Sequence, residues 1–168
     1  MTSPLPTNIY EIGKAVKSRL VLLNVVKDPA QIIWSARRVM PHIQGKLDIV
    51  LRPRRQQNIF EKGGGRYGIV MVRIMDIFVR TSYGGTELGD DETWYAQHVP
   101  VEDALVNALA TQMLTDPDGN DYLTSSIKYL GAMEEQKEVD VGPKNLWGDS
   151  SHSFELHWKP KFDLSQMT

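Results

Sequence analysis

Apolar and polar positions change period several times along this chain, and each change marks an element. Ile9, Ile12, Val16 and Leu20 form one stripe at helical spacing. Asn8 followed by Glu11 has the form of a capping box, so the spacing predicts a helix from Ile9 to Leu20. Asp28-Pro29-Ala30-Gln31 is a second start signal, with Asp as N-cap, Pro at the first helical position and Gln third. It predicts a helix presenting Ile32, Ile33, Ala36 and Met40 to a core. The rival is a strand, because Ile32-Ile33-Trp34 is also β-prone, and Pro41 ends either one.

Leu47 to Arg52 alternates as a strand, and Pro53 puts its end at a sheet edge. Tyr67 to Arg80 is a long run rich in Val, Ile and aromatics, apolar on both faces, which predicts a central strand buried on both sides. Arg73 and Asp76 interrupt it on opposite faces, so each needs a partner of its own or an opening to water. Asp90, Asp91 and Glu92 then cap a helical turn. Pro100 separates that turn from a main helix carrying Val101, Leu105, Ala108 and Leu109 on one face. Asp116-Pro117-Asp118-Gly119-Asn120 is a turn, Ile127 to Leu130 a weak strand, and Glu134 to Glu138 its charged continuation. The clearest alternation comes last. Phe154, Leu156, Trp158, Phe162 and Leu164 are apolar, and Glu155, His157, Lys159, Lys161 and Asp163 lie between them. This is the antiparallel pattern of one wet face, with Pro160 marking an edge strand or a break. The order of elements predicts a single α+β domain, a mainly antiparallel sheet with flanking helices.

Composition changes little in that picture and narrows the chemistry. A chain of 168 residues, 41% hydrophobic and 24% charged, has the make-up of a globular domain. Its net charge of -2 argues against a generally basic nucleic-acid binder. The absence of cysteine excludes thiol catalysis, disulfides and cysteine-ligated metal. The first seven residues hold two prolines and read as a flexible arm, with no basic-then-apolar signal peptide. No apolar run is long enough for a membrane span.

Several motifs fail on context. Gly63-Gly64-Gly65-Arg66-Tyr67-Gly68 spells a dinucleotide fingerprint but precedes a strand instead of following one, so no cofactor is expected. Asp118, Glu135 and Lys137 imitate the layout of a small metal-dependent nuclease, with two carboxylates for the ion and a lysine near the attacking water. Asp118 lies in a turn, however, and its counterparts lie in a nearly all-charged run. Asp116, Asp118 and Asn120 imitate a calcium loop that then lacks its Gly and Glu, so no metal site is expected. His152 and His157, five apart on one strand, face opposite ways. No Ser, His and acid grouping suggests a catalytic triad, and no enzymatic activity is expected.

Residues 52–66 form a mobile basic connection holding Arg52, Arg54, Arg55, Lys62 and Arg66 against Glu61 alone, with three consecutive glycines. These five cations are the candidate contact for DNA or for an acidic protein surface. As an exposed cluster, they should tolerate replacement of Arg54 and Arg55 by alanine with the fold near normal.

Taken over roughly residues 8–164, the chain resembles the tail terminator (tail completion) proteins of long-tailed bacteriophages. The resemblance rests on the N-terminal helix, the strand entering Leu51-Arg52-Pro53-Arg54-Arg55, and the long strand Ile69–Arg80. It continues through Asp90-Asp91-Glu92-Thr93-Trp94, the helix Val101–Leu109 and the closing Phe154-Glu155-Leu156-His157-Trp158. It implies a virion protein assembled in the host cytoplasm, a homo-hexameric ring in the phage neck. Such a ring caps the tail tube and joins it to a head-side connector protein, with DNA passing through the lumen. Other neck or head-closure proteins share this outline. The family has no catalytic residues to carry over.

Overall fold

The structure, a computed structural model, describes residues 8–35, 47–54, 70–83, 90–135 and 146–159. Helix α1 (Ile9–Leu22) starts where expected, with the Asn8 side chain accepting a hydrogen bond from the Glu11 N–H at 2.9 Å. Its stripe Ile12, Val16 and Leu20 is fully buried. The second start signal is also real, and Asp28 and Gln31 complete a reciprocal capping box. Yet it nucleates only the single 3₁₀ turn Pro29–Gln31, and strand β1 (Ile32–Trp34) follows at once. The predicted helix is therefore replaced by the rival strand. Ile32, Ile33 and Trp34 pair in parallel with Ile49, Val50 and Leu51, and that ladder outweighs the local cap.

Strand β2 (Asp48–Pro53) pairs antiparallel with β3 (Met71–Tyr83), which pairs antiparallel with β5 (Leu146–Trp158), and β4 (Lys128–Glu135) completes the sheet. The order is β1-β2-β3-β5-β4, so β3 is central as expected. Pro53 ends β2 past the last residue of the three-residue β1, so it has no described neighbour on that side, as expected, and its missing N–H costs no ladder bond there. Of the two readings at Pro160, an edge strand or a break, the structure excludes the edge strand: β5 lies between β3 and β4 and ends at Trp158, and Pro160, Phe162 and Leu164 lie outside the described residues.

One face of the sheet carries the core. Ile49 and Leu51, Met75, Ile77 and Val79, and Phe154, Leu156 and Trp158 meet α1 and helix α2 (Asp90–Leu109) there. The expectation that β3 is equally buried on both faces does not hold. Val72 and Asp76 are buried on the opposite side, but Ile74, Phe78 and Arg80 are only half-buried, because both helices join the same cluster on the first face. Pro100 does not separate two helices either. α2 runs through it, losing one ladder bond while Leu105, Ala108 and Leu109 anchor its second half. The Asp116–Asn120 turn forms as read, with Asp116 Oδ1 accepting from the Asp118 and Asn120 N–H groups and Gly119 at φ +85°. The result is an α+β fold with a mainly antiparallel sheet.

Candidate functional site

The basic segment and β3 meet at Arg54. The Arg54 N–H bonds the Ile74 carbonyl at 2.8 Å, extending the β2–β3 ladder one residue past Pro53. Its side chain turns to the face opposite the helices, where Nε donates to Asp76 Oδ2 at 2.7 Å and Nη2 to Ser153 Oγ at 3.2 Å. Ser153 donates to the other Asp76 oxygen at 2.7 Å, so the buried carboxylate is held from two strands. Arg73, from the other face, donates its Nε to the Arg54 carbonyl at 2.5 Å, and burial lowers its pKa. The hydrogen bond to Asp76 raises the pKa of Arg54. Arg73 and Asp76 thus find separate partners, as their opposite faces require. Arg52 sits directly across the ladder from Asp76 and is half-buried.

Of the five candidate cations, Arg52 and Arg54 are brought together, with Arg73 added. Arg55, Lys62 and Arg66 lie outside the described residues, as does the glycine-rich stretch 63–68. Arg54 is therefore tied into the sheet as well as placed at the mouth of the basic segment. Its bond to a buried carboxylate argues against removing it without touching the fold. The register that produces this contact was not legible in the sequence.

A second constellation was missed altogether. α2 contributes His98 and Glu102, i and i+4 on one face, and β5 contributes Ser150 and His152, i and i+2 on one face. β3 adds Thr81 and β4 adds Tyr129. His98 Nδ1 lies 2.8 Å from Thr81 Oγ1 and its Nε2 2.9 Å from Ser150 Oγ. His152 Nε2 lies 3.1 Å from the same Ser150 oxygen, and its Nδ1 lies 3.1 Å from the Tyr129 hydroxyl. Glu102 Oε1 faces both Nε2 atoms, at 3.4 Å from His98 and 3.2 Å from His152. His98, Ser150 and His152 are all at most 3% exposed. A bulge between Tyr129 and Gly131, the latter at φ +117°, sets Tyr129 over Phe154 and beside the His152 ring. Burial, then the charge of Glu102, raise the Tyr129 pKa.

This cluster does not have triad geometry. A triad needs the acid on one ring nitrogen and the nucleophile on the other. Here Glu102 and Ser150 address the same nitrogen of each histidine, and the serine is sealed from solvent. A cleft of about 310 Å³ between α2 and β4 reaches the cluster past Glu102, Asp103, Asn107 and Tyr129. A larger one of about 450 Å³ lies between α1 and residues 113–122, with Lys14, Arg19, Asp116 and Tyr122 on its walls.

The nuclease residues fare differently. Asp118 is exposed in the Asp116 turn, Glu135 ends β4, and Lys137 is outside the described residues. Among the described residues no three His, Asp or Glu side chains are placed to hold a metal ion. No described helix is long and apolar enough to cross a membrane.

No family model matches the sequence, and no curated protein matches it. Solved structures do share the fold. One is a chain from the structure described as the virion of a native gene transfer agent (GTA) particle. It aligns with a TM-score of 0.57 at 17% identity, over 90% of this chain and 99% of that one.

Proposed function

We propose that this chain is a structural, non-enzymatic protein of a phage-like virion, and within it a tail terminator that caps the tail tube and joins it to the head as a hexameric ring. The observation that carries the reading is the near end-to-end correspondence of fold with a chain of the gene transfer agent virion. The resemblance of the chain's elements to tail terminator proteins supplies the finer station. The sheet supports assembly through its edges. β1 is three residues long, and β4 carries an exposed Leu130 on the outermost strand. The partners of such a ring are copies of this chain, the tail tube protein and a head-side connector, with DNA in the lumen. In this reading Arg52 and Arg55, together with Lys62 and Arg66, face DNA or an acidic neighbouring surface.

Light scattering at micromolar concentration tests the reading, first alone and then with the tube protein of the same particle. The expected species has about six times the 19.0 kDa mass of the chain. A strict monomer in both settings, or failure to be incorporated into particles, would sink the terminator assignment. DNA cleavage in the presence of a divalent metal, abolished by Glu135→Ala with Lys137→Ala, would move it to the nuclease class.

A further inference from the structure

The β2–β3 ladder ends in three arginines whose charges are not equally matched. Arg54 is paired with Asp76, which accepts from its Nε at 2.7 Å, while Ser153 accepts from its Nη2. Arg73 uses its Nε on the Arg54 carbonyl, and no described side chain forms an ion pair with it. Its four other N–H donors, on Nη1 and Nη2, have no acceptor among the described residues. Arg52 lies across the ladder from Asp76, half-buried, and its side chain has no partner among the described residues. We propose that Arg52 and Arg73 bind phosphates of DNA at this end of the sheet, and that Arg54 does not.

Charge counting separates the three. Three guanidiniums and one carboxylate leave two positive charges here, on a chain whose net charge is -2. Arg73 is also held in place. Its bond to a main-chain carbonyl fixes the plane of the guanidinium, so little rotamer freedom remains to be lost on binding. Burial lowers its pKa, and no described acid offsets that loss of water. A half-desolvated cation of this kind gains more from an anion than a fully solvated one.

The placement favours DNA over an acidic protein surface. Arg52 shares the Asp76 face and Arg73 occupies the other, so the two cations flank the sheet and do not form one flat patch. A folded acidic partner would need carboxylates matched to both positions. Duplex DNA carries a negative charge about every 1.7 Å along its axis, so two cations separated in this way meet phosphates without a matched surface. The contact rests on the virion reading above, in which this end of the sheet faces DNA or an acidic neighbour, and commits it to DNA.

Fluorescence anisotropy of the full chain with a labelled duplex of about 20 base pairs, from about 50 to about 200 mM salt, tests it. The logarithm of affinity falls with the logarithm of salt, and the slope should drop by about one unit in each of Arg73→Gln and Arg52→Gln. Arg52→Gln removes no side-chain bond among the described residues, and covers the case in which Arg73→Gln fails to fold. Arg73→Lys keeps the charge without the planar fork, so the slope should stay while the affinity falls severalfold. Arg54→Gln with Asp76→Asn removes a matched pair at no change in net charge, and should leave the slope as it is. No binding of DNA by the unaltered chain, unchanged slopes in both Gln variants, or an equal drop in the neutral pair would overturn the proposal. So would salt-dependent binding of the tube protein in place of DNA, lost in the same variants, which would give the site to an acidic surface. A strict monomer in light scattering whose slopes still change sinks the terminator reading and leaves the DNA contact standing. A ring that ignores DNA does the reverse.

Discussion

Arg54 Nε stands 2.7 Å from Asp76 Oδ2, which ties the entrance of the basic segment to the central strand of the sheet. Asp76 is 9% exposed and Arg54 is open to solvent, so the two sides of this pair are not equivalent. Removing the arginine takes a donor from a buried carboxylate, which is the costly direction.

Arg54→Ala should therefore destabilise the fold by about 1–2 kcal/mol, discounted for the exposure of the guanidinium. Arg52→Ala should stay within about 0.5 kcal/mol. Urea denaturation of the two variants measures both, and equal losses would contradict the asymmetry. For assembly assays Arg52 and Arg55 are the better probes, because a loss in Arg54→Ala can arise from the fold.

Gly13 is buried on α1, and a Cβ built there would fall 2.0 Å from the Trp34 ring. The indole also rests against Tyr10, with ring centroids 5.6 Å apart. Gly13→Ala should cost about 1–3 kcal/mol despite the better helix propensity of alanine. In a Trp34→Ala background the same change should become neutral or favourable, so the two substitutions should be strongly non-additive in thermal melts.

Ser150 Oγ serves both histidine rings inside the sheet. Ser150→Ala should lower stability by about 1–3 kcal/mol, whereas Ser125→Ala at an exposed position should change it by less than about 0.5 kcal/mol. Calorimetry of the pair distinguishes a buried hydrogen-bonding group from a dispensable hydroxyl.

Burial and then Glu102 raise the Tyr129 pKa, so the folded state holds the phenolic proton more tightly than the unfolded chain. The stability that comes from this is fully present below the unfolded tyrosine value, about 10, and is lost as the pH rises through the folded one. Tyr129→Phe should flatten the alkaline fall in stability above about pH 10. Tyr122, raised mainly by burial, should leave a residual slope. An unchanged alkaline profile in Tyr129→Phe would contradict the raised pKa of the phenol.

Local rules acted alone wherever a feature needed only its own neighbours in the chain. The Asn8 cap, the Ile12-Val16-Leu20 stripe, the Asp116 turn and the Phe154-Leu156-Trp158 alternation were all legible, because capping, helical period and strand pleat operate within a few residues. So was the α+β class, which follows from the order of such segments. The second cap at Asp28 shows where local rules stop: it forms, and a long-range parallel pairing still converts Ile32–Trp34 to strand. What only the tertiary structure decided was register. Antiparallel pairing of β2 with β3 and of β3 with β5 sets Arg54 and Ser153 about Asp76, partners 22 and 77 residues away along the chain. Packing of α2 on the same sheet sets His98 and Glu102 over Ser150 and His152. In the sequence these are two ordinary short-range pairs, His-x₃-Glu and Ser-x-His. A shift of one residue in either strand would have sent Ser150 and His152 to the opposite face, because side chains alternate along a strand.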